Sequence, residues 1–151
     1  MPSEADLDKL VLNTFSQTIG DRGILEKTWT EYIRDENGKQ LALQNGLPDL
    51  VGHIEGLHVE IEDKKFPNRP TAQQYARLRR VNATGGLAAM IVLDPKGEVW
   101  WVPPIYIQNF DFSWKDKPSW TKLGTITGIN MMPLLVESIE RRRRVTRTQN
   151  P

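Results

Sequence analysis

Acidic and basic side chains that could act together on a phosphodiester lie between residues 49 and 64. Asp49 follows a Leu-Pro pair, and Glu60, Glu62 and Lys64 alternate with apolar residues in the run 57–64. Carboxylates on two neighbouring strands make a hard, oxygen-rich site of the kind that Mg²⁺ and Mn²⁺ prefer. Such a metal neutralises a phosphate and activates a bound water, and an adjacent lysine can hold that water or help to deprotonate it.

The same residues also have a purely structural interpretation. Glu62, Asp63, Lys64 and Lys65 could form the solvated face of an amphipathic edge strand, because alternating charged residues are common there. On residue types alone, this interpretation is favoured over a metal site.

Two adjacent strands must bring Asp49 beside the polar residues of the run 57–64. Residues 47–51 form a short β-like run, residues 53–56 are expected to form a turn, and the alternation over 57–64 predicts a strand. That strand would lay its apolar face on the core and place Glu60, Glu62 and Lys64 together on the other face.

A parallel crossover is predicted to follow this strand. Thr71 and Gln74 have the spacing of a capping box, so a helix is expected over about 72–84, ended by Gly85 and Gly86. Seven consecutive apolar residues at 87–93 predict a strand that is covered on both faces. The order of strand, helix and strand favours a right-handed βαβ unit, and residues 98–102 are expected to return antiparallel.

The flanking segments predict two more helices and a hairpin. Apolar residues at helical spacing predict a helix over 4–19, with Ser3 as its N-cap and Gly20 as its stop. Residues 27–33 are rich in β-formers, and Asn37-Gly38 predicts a turn before a weaker strand over 39–44. Asn130 is expected to cap a final helix that runs into the arginines. Residues 105–129 show no clear pattern.

Composition excludes several kinds of site. The 151 residues include no cysteine and two histidines, which excludes disulfides, zinc ribbons, iron–sulfur clusters and thiol nucleophiles. No apolar run approaches the roughly 18 residues of a membrane span. The acidic N-terminus is unlike a signal peptide, so a cytoplasmic protein with no membrane partner is expected.

Positive charge is concentrated at the C-terminus. Residues 140–151 hold five arginines and one glutamate, a net of +4 in a chain whose formal charge is +1, which leaves −3 for the rest. Such a tail is typical of contact with nucleic-acid phosphates and equally of a solvated helix end.

The central third of the chain resembles the VRR-NUC branch of the PD-(D/E)xK nuclease superfamily. The run Gly-Leu-Pro-Asp-Leu-Val-Gly at 46–52 is similar to the family's Gly-x-Pro-Asp-hydrophobic segment. The run Val-Glu-Ile-Glu-Asp-Lys-Lys at 59–65 is similar to its hydrophobic strand with Glu-x-Lys. Thr71 and Gln74, followed by Gly85-Gly86 and an apolar strand, resemble what comes next in that branch.

This resemblance implies a role for each matching residue. Asp49 and Glu62 would bind Mg²⁺ or Mn²⁺ together with the backbone carbonyl of Asp63, and Lys64 would be the catalytic lysine. Gln74 would orient the site from its helix, a role that is compatible with the cap that its spacing predicts.

The sequence also departs from the family's pattern. Glu60 is a second acid on the same strand face and could replace or assist Glu62, although the Glu-x-Lys spacing favours Glu62. Asp63 stands where the family usually has an apolar residue. A further glutamate is often found on the first helix of the family, and Glu4 is the candidate for it here.

The resemblance further implies a fold and an activity. The fold class would be α/β, a restriction-endonuclease-like PD-(D/E)xK core with a mixed β-sheet flanked by helices, as a single domain at 1–139 before the basic tail at 140–151. The activity would be that of a metal-dependent DNA endonuclease, a homodimer with branched DNA such as a Holliday junction as its substrate, and many members are phage-encoded. The arginines expected to contact DNA are Arg77, Arg79 and Arg80 on the crossover helix and Arg141, Arg142, Arg143 and Arg144 in the tail.

Two other functions stay open at this point. The chain could be a nuclease fold kept as a non-catalytic DNA-binding or assembly module, although such a module has no need of an intact set of Asp49, Glu62 and Lys64. It could also be a restriction-type endonuclease that cuts duplex DNA, since no base-reading residues can be identified in the sequence to decide the substrate.

Overall fold

A seven-stranded mixed sheet forms the centre of the fold. The computed structural model describes residues 2–28, 32–34, 36–42, 47–102 and 119–149. The strands of the sheet lie in the order β1 (Gly23–Lys27), β4 (Leu50–Ile54), β5 (Leu57–Lys65), β6 (Leu87–Leu93), β7 (Glu98–Val102), β8 (Thr121–Thr125) and β9 (Gly128–Ile129). Strands β5 and β6 are parallel and every other neighbouring pair is antiparallel. A separate two-stranded sheet pairs β2 (Tyr32–Arg34) with β3 (Gln40–Ala42).

Helices cover both faces of the sheet, whose central strand β6 is apolar on both sides. One face packs against α1 (Glu4–Ile19) and the last helix, α3 (Met132–Gln149), and the other packs against the crossover helix α2 (Ala72–Ala83). All seven residues of β6 are buried, as expected for a strand between two helical layers. This arrangement confirms the predicted fold class, an α/β fold with a mixed sheet flanked by helices.

The helix boundaries follow the capping residues. Ser3 caps α1, and Asp6 completes a capping box by accepting a hydrogen bond from the Ser3 backbone N–H. Thr71 and Gln74 form the predicted capping box of α2. The Asn130 side chain accepts a hydrogen bond from the Met132 backbone N–H at the start of α3. That helix continues without a break through residue 140, where the basic tail was expected to begin.

The first half of the turn that was predicted at 53–56 belongs to a strand, so that part of the prediction is wrong. His53 and Ile54 belong to β4, where His53 pairs with His58, and the turn is only the two residues Glu55 and Gly56. Both have positive φ, 47° and 84°, as in the tight turns that join twisted antiparallel strands. The shorter turn fixes the register of β4 on β5.

One strand prediction also needs correction. The strand predicted over 27–33 is two elements, because residues 23–27 pair with β4 while β2 begins only at Tyr32. Residues 105–129, which lacked a pattern, contain β8 and β9 at the edge of the sheet. The strand predicted over 39–44 is present as Gln40–Ala42, and residues 43–46 and 103–118 lie outside the described residues.

In the described part of the chain, every helix is too short or too polar to cross a membrane.

Candidate active site

The short β4–β5 hairpin carries Asp49 to the middle of β5. Leu50 pairs with Ile61, so Asp49, just before β4, lies beside Glu62 and Asp63. The Asp63 backbone N–H donates a hydrogen bond of 2.8 Å to Asp49 Oδ2. Thr28, which directly follows β1, holds the same segment, because its backbone N–H donates to the Asp49 carbonyl at 2.8 Å. The predicted neighbourhood of Asp49 and Glu62 is therefore present, and backbone contacts fix it.

Glu62 and Lys64 form a close ion pair next to Asp49. The Lys64 Nζ atom lies 3.2 Å from Glu62 Oε1, with side-chain exposures of 12% for the lysine and 1% for the glutamate. Both side chains are thus withdrawn from solvent, which is not what the solvated face of an edge strand would show. The structure brings together the three residues Asp49, Glu62 and Lys64 that the sequence singled out.

Lys64 compensates the negative charge of Asp49 and Glu62 only in part. Burial, followed by the nearby Asp49 charge, raises the pKa of Glu62 to about 8 against the opposing effect of Lys64. Burial also raises the pKa of Asp49, and the hydrogen bond from the Asp63 N–H partly offsets that effect. A cation placed between these carboxylates would stabilise their ionised forms.

Asp8 on α1 is a buried carboxylate that the sequence analysis missed, and it lies under the same strand. Asp63 is fully buried and faces Asp8 on α1. Burial, followed by the neighbouring Asp8, raises the pKa of Asp63 well above its usual range. Lys27 Nζ lies 3.4 Å from Asp8 Oδ2. The signal was available, because Asp8 occupies the apolar stripe of α1, three residues before Val11 and seven before Phe15.

The donor set of Asp49 and Glu62 fits a hard divalent cation. Both oxygens of Glu62 are buried, and apart from the Lys64 ammonium neither has a hydrogen-bond donor among the described residues. Within those residues, however, no three Asp, Glu, His or Cys side chains are arranged around a common metal position. Mg²⁺ is commonly held by one or two carboxylates together with water and substrate phosphates. Two carboxylates plus a backbone carbonyl at Asp63 are consistent with that pattern.

Glu60 and Glu4, the other two acids that the sequence analysis considered for the site, are bonded to other groups. Both oxygens of Glu60 bond to Arg77 on α2, with Arg77 Nε at 2.6 Å and Arg77 Nη2 at 2.9 Å. Glu4 accepts hydrogen bonds from the Lys65 backbone N–H at 3.1 Å and from Asn68 at 3.2 Å. Glu60 is therefore directed at the crossover helix, and Glu4 holds the end of β5.

Gln74 has the capping geometry that its spacing predicted. Its backbone N–H donates to Thr71 Oγ1 at 3.1 Å, and its side-chain Oε1 accepts from the Thr71 backbone N–H at 2.9 Å. The oxygen of the Gln74 amide is thus engaged in the cap, and a role in orienting the site stays a prediction.

The arginines predicted to contact DNA fall into two groups. Arg141 donates to the backbone carbonyls of Asn82 at 3.0 Å and Gly86 at 3.1 Å, so it holds α3 against the end of α2 and the loop after it. Arg142 is paired with Glu55 in the β4–β5 turn. The others lie at the surface or reach it: Arg77 on Glu60, Arg79 over the Tyr75 ring, Arg80, Arg143, and Arg144 beside Glu140.

Comparison with solved structures adds a structural likeness. No protein-family model matches the chain, and neither does any curated protein. Among solved structures, the chain is similar to Hjc, a Holliday junction resolvase from the archaeal hyperthermophile Archaeoglobus fulgidus. The sequence identity is 10%, the TM-score is 0.49, and the alignment covers 76% of this chain and 94% of the resolvase.

Proposed function

We propose that this chain is a metal-dependent endonuclease that hydrolyses phosphodiester bonds of DNA. The observation that carries the proposal is the meeting of Asp49, Glu62 and Lys64 at one buried position, fixed by the β4–β5 hairpin. Two carboxylates and a lysine at a hard cation site are suited to phosphodiester hydrolysis. The same proposal includes branched DNA as the substrate, a homodimer, a cytoplasmic or phage-host setting and membership of the VRR-NUC branch. These parts rest on the sequence resemblance.

Each residue of the site has a distinct part in this chemistry. Asp49 and Glu62, with the backbone carbonyl of Asp63, would hold Mg²⁺ or Mn²⁺, and the ion when bound would neutralise phosphate charge and activate water. The Asp63 N–H fixes the direction of the Asp49 carboxylate. The Lys64 ammonium lies close enough to Glu62 to hold a water or a phosphate oxygen beside it.

Substitution of the three residues tests this assignment. We expect Asp49→Asn, Glu62→Gln and Lys64→Met each to slow cleavage by at least about 10²-fold in Mg²⁺ or Mn²⁺, because each removes a charge from the reacting centre. Labelled four-way junction, flap, single-stranded and linear duplex DNA would serve as substrates. Glu98→Gln is the matched control, since Glu98 pairs with Lys122 at the surface and should keep full activity.

The products identify the substrate class. Paired symmetric cuts in the junction, lost in Lys64→Met, would support a resolvase-like homodimer, and sedimentation of the same sample would give its oligomeric state. Cutting confined to linear duplex would indicate a restriction-type enzyme. Full activity in all three variants would refute the site. DNA binding without any cleavage would favour the non-catalytic module.

A further inference from the structure

A buried acid on the polar face of β5 lies outside the proposed catalytic set. Glu60 is fully buried, yet both of its oxygens are bonded to groups that reach the surface. Oε1 accepts from Arg77 Nε at 2.6 Å, and Oε2 accepts from Arg77 Nη2 at 2.9 Å. Oε2 also lies 2.5 Å from His58 Nε2. One carboxylate therefore holds two cation-forming side chains from different elements.

The side chains of Arg77 and His58 extend from the buried Glu60 carboxylate to the surface; these three residues are called the Glu60 network below. The side chain of Arg77 is 40% exposed and that of His58 is 49% exposed, while Glu60 has no exposure. A buried carboxylate is stable only when it is paired, so Glu60 keeps the guanidinium in one orientation. Nε and Nη2 make the two bonds to Glu60, and Nη1 takes part in neither. A guanidinium fixed in this way loses little further entropy when it binds an anion.

The Glu60 network lies next to the candidate active site. His58, Glu60, Glu62 and Lys64 alternate along β5, and two residues of a strand span about 7 Å. Glu60 is therefore the side chain next to Glu62 on the same face of β5. A nucleic-acid strand that followed β5 from the Asp49–Glu62 position towards Glu60 would come within range of Arg77.

An open cleft continues from His58 on the side away from Lys64. Its volume is about 550 Å³, and its walls include Glu55, His58, Thr84 and Arg142. Glu55 is paired with both Arg22 and Arg142, so the charge of this wall is not negative overall. A polyanion that leaves Arg77 in this direction meets an open path rather than a closed or acidic surface.

We propose that Arg77 and His58 form a phosphate-contact site for the backbone of a nucleic acid, with Glu60 as the residue that positions both. This inference rests on the proposed function, which makes DNA the ligand. The contact would fix the register of the strand on β5 and would carry no base specificity, as is usual for arginine on phosphate.

Binding of labelled junction and single-stranded DNA, followed by fluorescence anisotropy over a range of salt, tests the inference. A chelator would keep the protein metal-free, so that cleavage does not interfere. We expect Arg77→Ala to lower the slope of log affinity against log salt by about one and to weaken binding about tenfold. His58→Gln should weaken binding less, because it removes one contact and leaves Arg77 in place.

The sign of the Glu60→Gln effect separates positioning from simple electrostatics. Removal of a negative charge near DNA should by itself tighten binding, whereas loss of a positioning carboxylate should weaken it, and we expect about tenfold weaker binding. Arg77→Lys keeps the charge and loses the planar fork, so it should also bind more weakly. Glu98→Gln removes an equally charged surface acid and should not weaken binding.

Each result decides a different question. Unchanged or tighter binding by Glu60→Gln and Arg77→Lys, with an unchanged salt slope, would overturn the inference while the proposed function stands. If Glu60→Gln fails to fold, Arg77→Lys alone decides, because it retains the pairing with Glu60. Failure of the wild-type protein to bind DNA of any shape would overturn the proposed function together with this contact.

Discussion

Glu62 combines deep burial with the nearby cation Lys64. Its side chain is 1% exposed, the Lys64 ammonium lies 3.2 Å away, and the negative charge of Asp49 lies next to it. Burial first, and Asp49 second, raise its pKa from 4.5 to about 8. The protein therefore holds this carboxyl in an environment that suits its charged form only when a further cation is present.

The pH dependence of stability follows from this pKa. In metal-free protein between pH of about 4.5 and about 8, folded Glu62 keeps a proton that unfolded Glu62 has released. The free energy of unfolding should therefore fall as pH rises through this window, by at most about 1.4 kcal/mol per pH unit from this group. Glu62→Gln removes the titration, so urea unfolding in chelator should show a shallower decline and a more stable protein at the upper end.

The same series has an internal control. Glu98→Gln should follow the wild-type profile, because Glu98 lies at the surface beside Lys122. Parallel profiles for Glu62→Gln and wild type would mean that Glu62 does not carry the raised pKa.

At the scale of elements, the β1–β4–β5 unit positions the site. The two-residue turn at Glu55–Gly56 sets the register of β4 on β5, and β1 packs closely against β4 on its other side. A Cβ atom at Gly52 would lie 1.8 Å from the Ile24 carbonyl oxygen, so only glycine allows the two strands this approach. Thr28, which bonds to the Asp49 carbonyl, directly follows β1. A shift of β1 would thus be transmitted to Asp49.

Alanine substitution at two glycines tests this packing. Gly52→Ala should lower the free energy of unfolding by at least about 2 kcal/mol, because the new methyl group collides with the β1 backbone. Gly128→Ala is the matched control, since a Cβ there meets nothing within 4 Å, and its effect should stay within about 0.5 kcal/mol. Urea unfolding of both variants gives the comparison, and equal effects would show that β1 can move away at little cost.

At the scale of the whole molecule, α3 joins the C-terminal arginines to the body of the protein. Arg141 bonds to backbone carbonyls 59 and 55 residues earlier in the chain, at the end of α2 and in the loop between α2 and β6. Arg143, two residues later, is exposed. Neighbouring arginines of one basic run thus have different environments, because a helix turns successive side chains to different sides.

Because of this difference, we expect alanine substitution at Arg141 to affect stability and alanine substitution at Arg143 to affect DNA binding. Arg141→Ala should lower the free energy of unfolding by about 1–3 kcal/mol, because two carbonyls lose a charged donor, while DNA affinity of the folded protein changes little. Arg143→Ala should leave stability within about 0.5 kcal/mol and reduce the salt slope of DNA binding by about one. Urea unfolding and anisotropy titrations measure the two effects, and weaker DNA binding by both variants equally would contradict the division.

Local patterns in the sequence were sufficient for most elements of the core. The capping residues Ser3 and Thr71 begin their helices as predicted, and the alternation along β5 and the apolar run of β6 correspond to strands. These features are set by interactions between residues close in the chain. The turn after β4 was predicted two residues too long because β4 pairs with β1 as well as β5 through Ile54, and pairing with a distant strand has no local signal.

The sequence by itself determined the strands that carry Asp49, Glu62 and Lys64, and it singled out these three residues as a candidate site. Only the tertiary structure decided which partners the other charged side chains have. Glu60 pairs with Arg77, Asp8 faces Asp63, and Arg141 bonds to backbone carbonyls after and at the end of α2. The physical reason is that these pairs join different elements. Which side chains meet there depends on the register of the strands and on how each helix packs on the sheet, and burial of the whole core sets both.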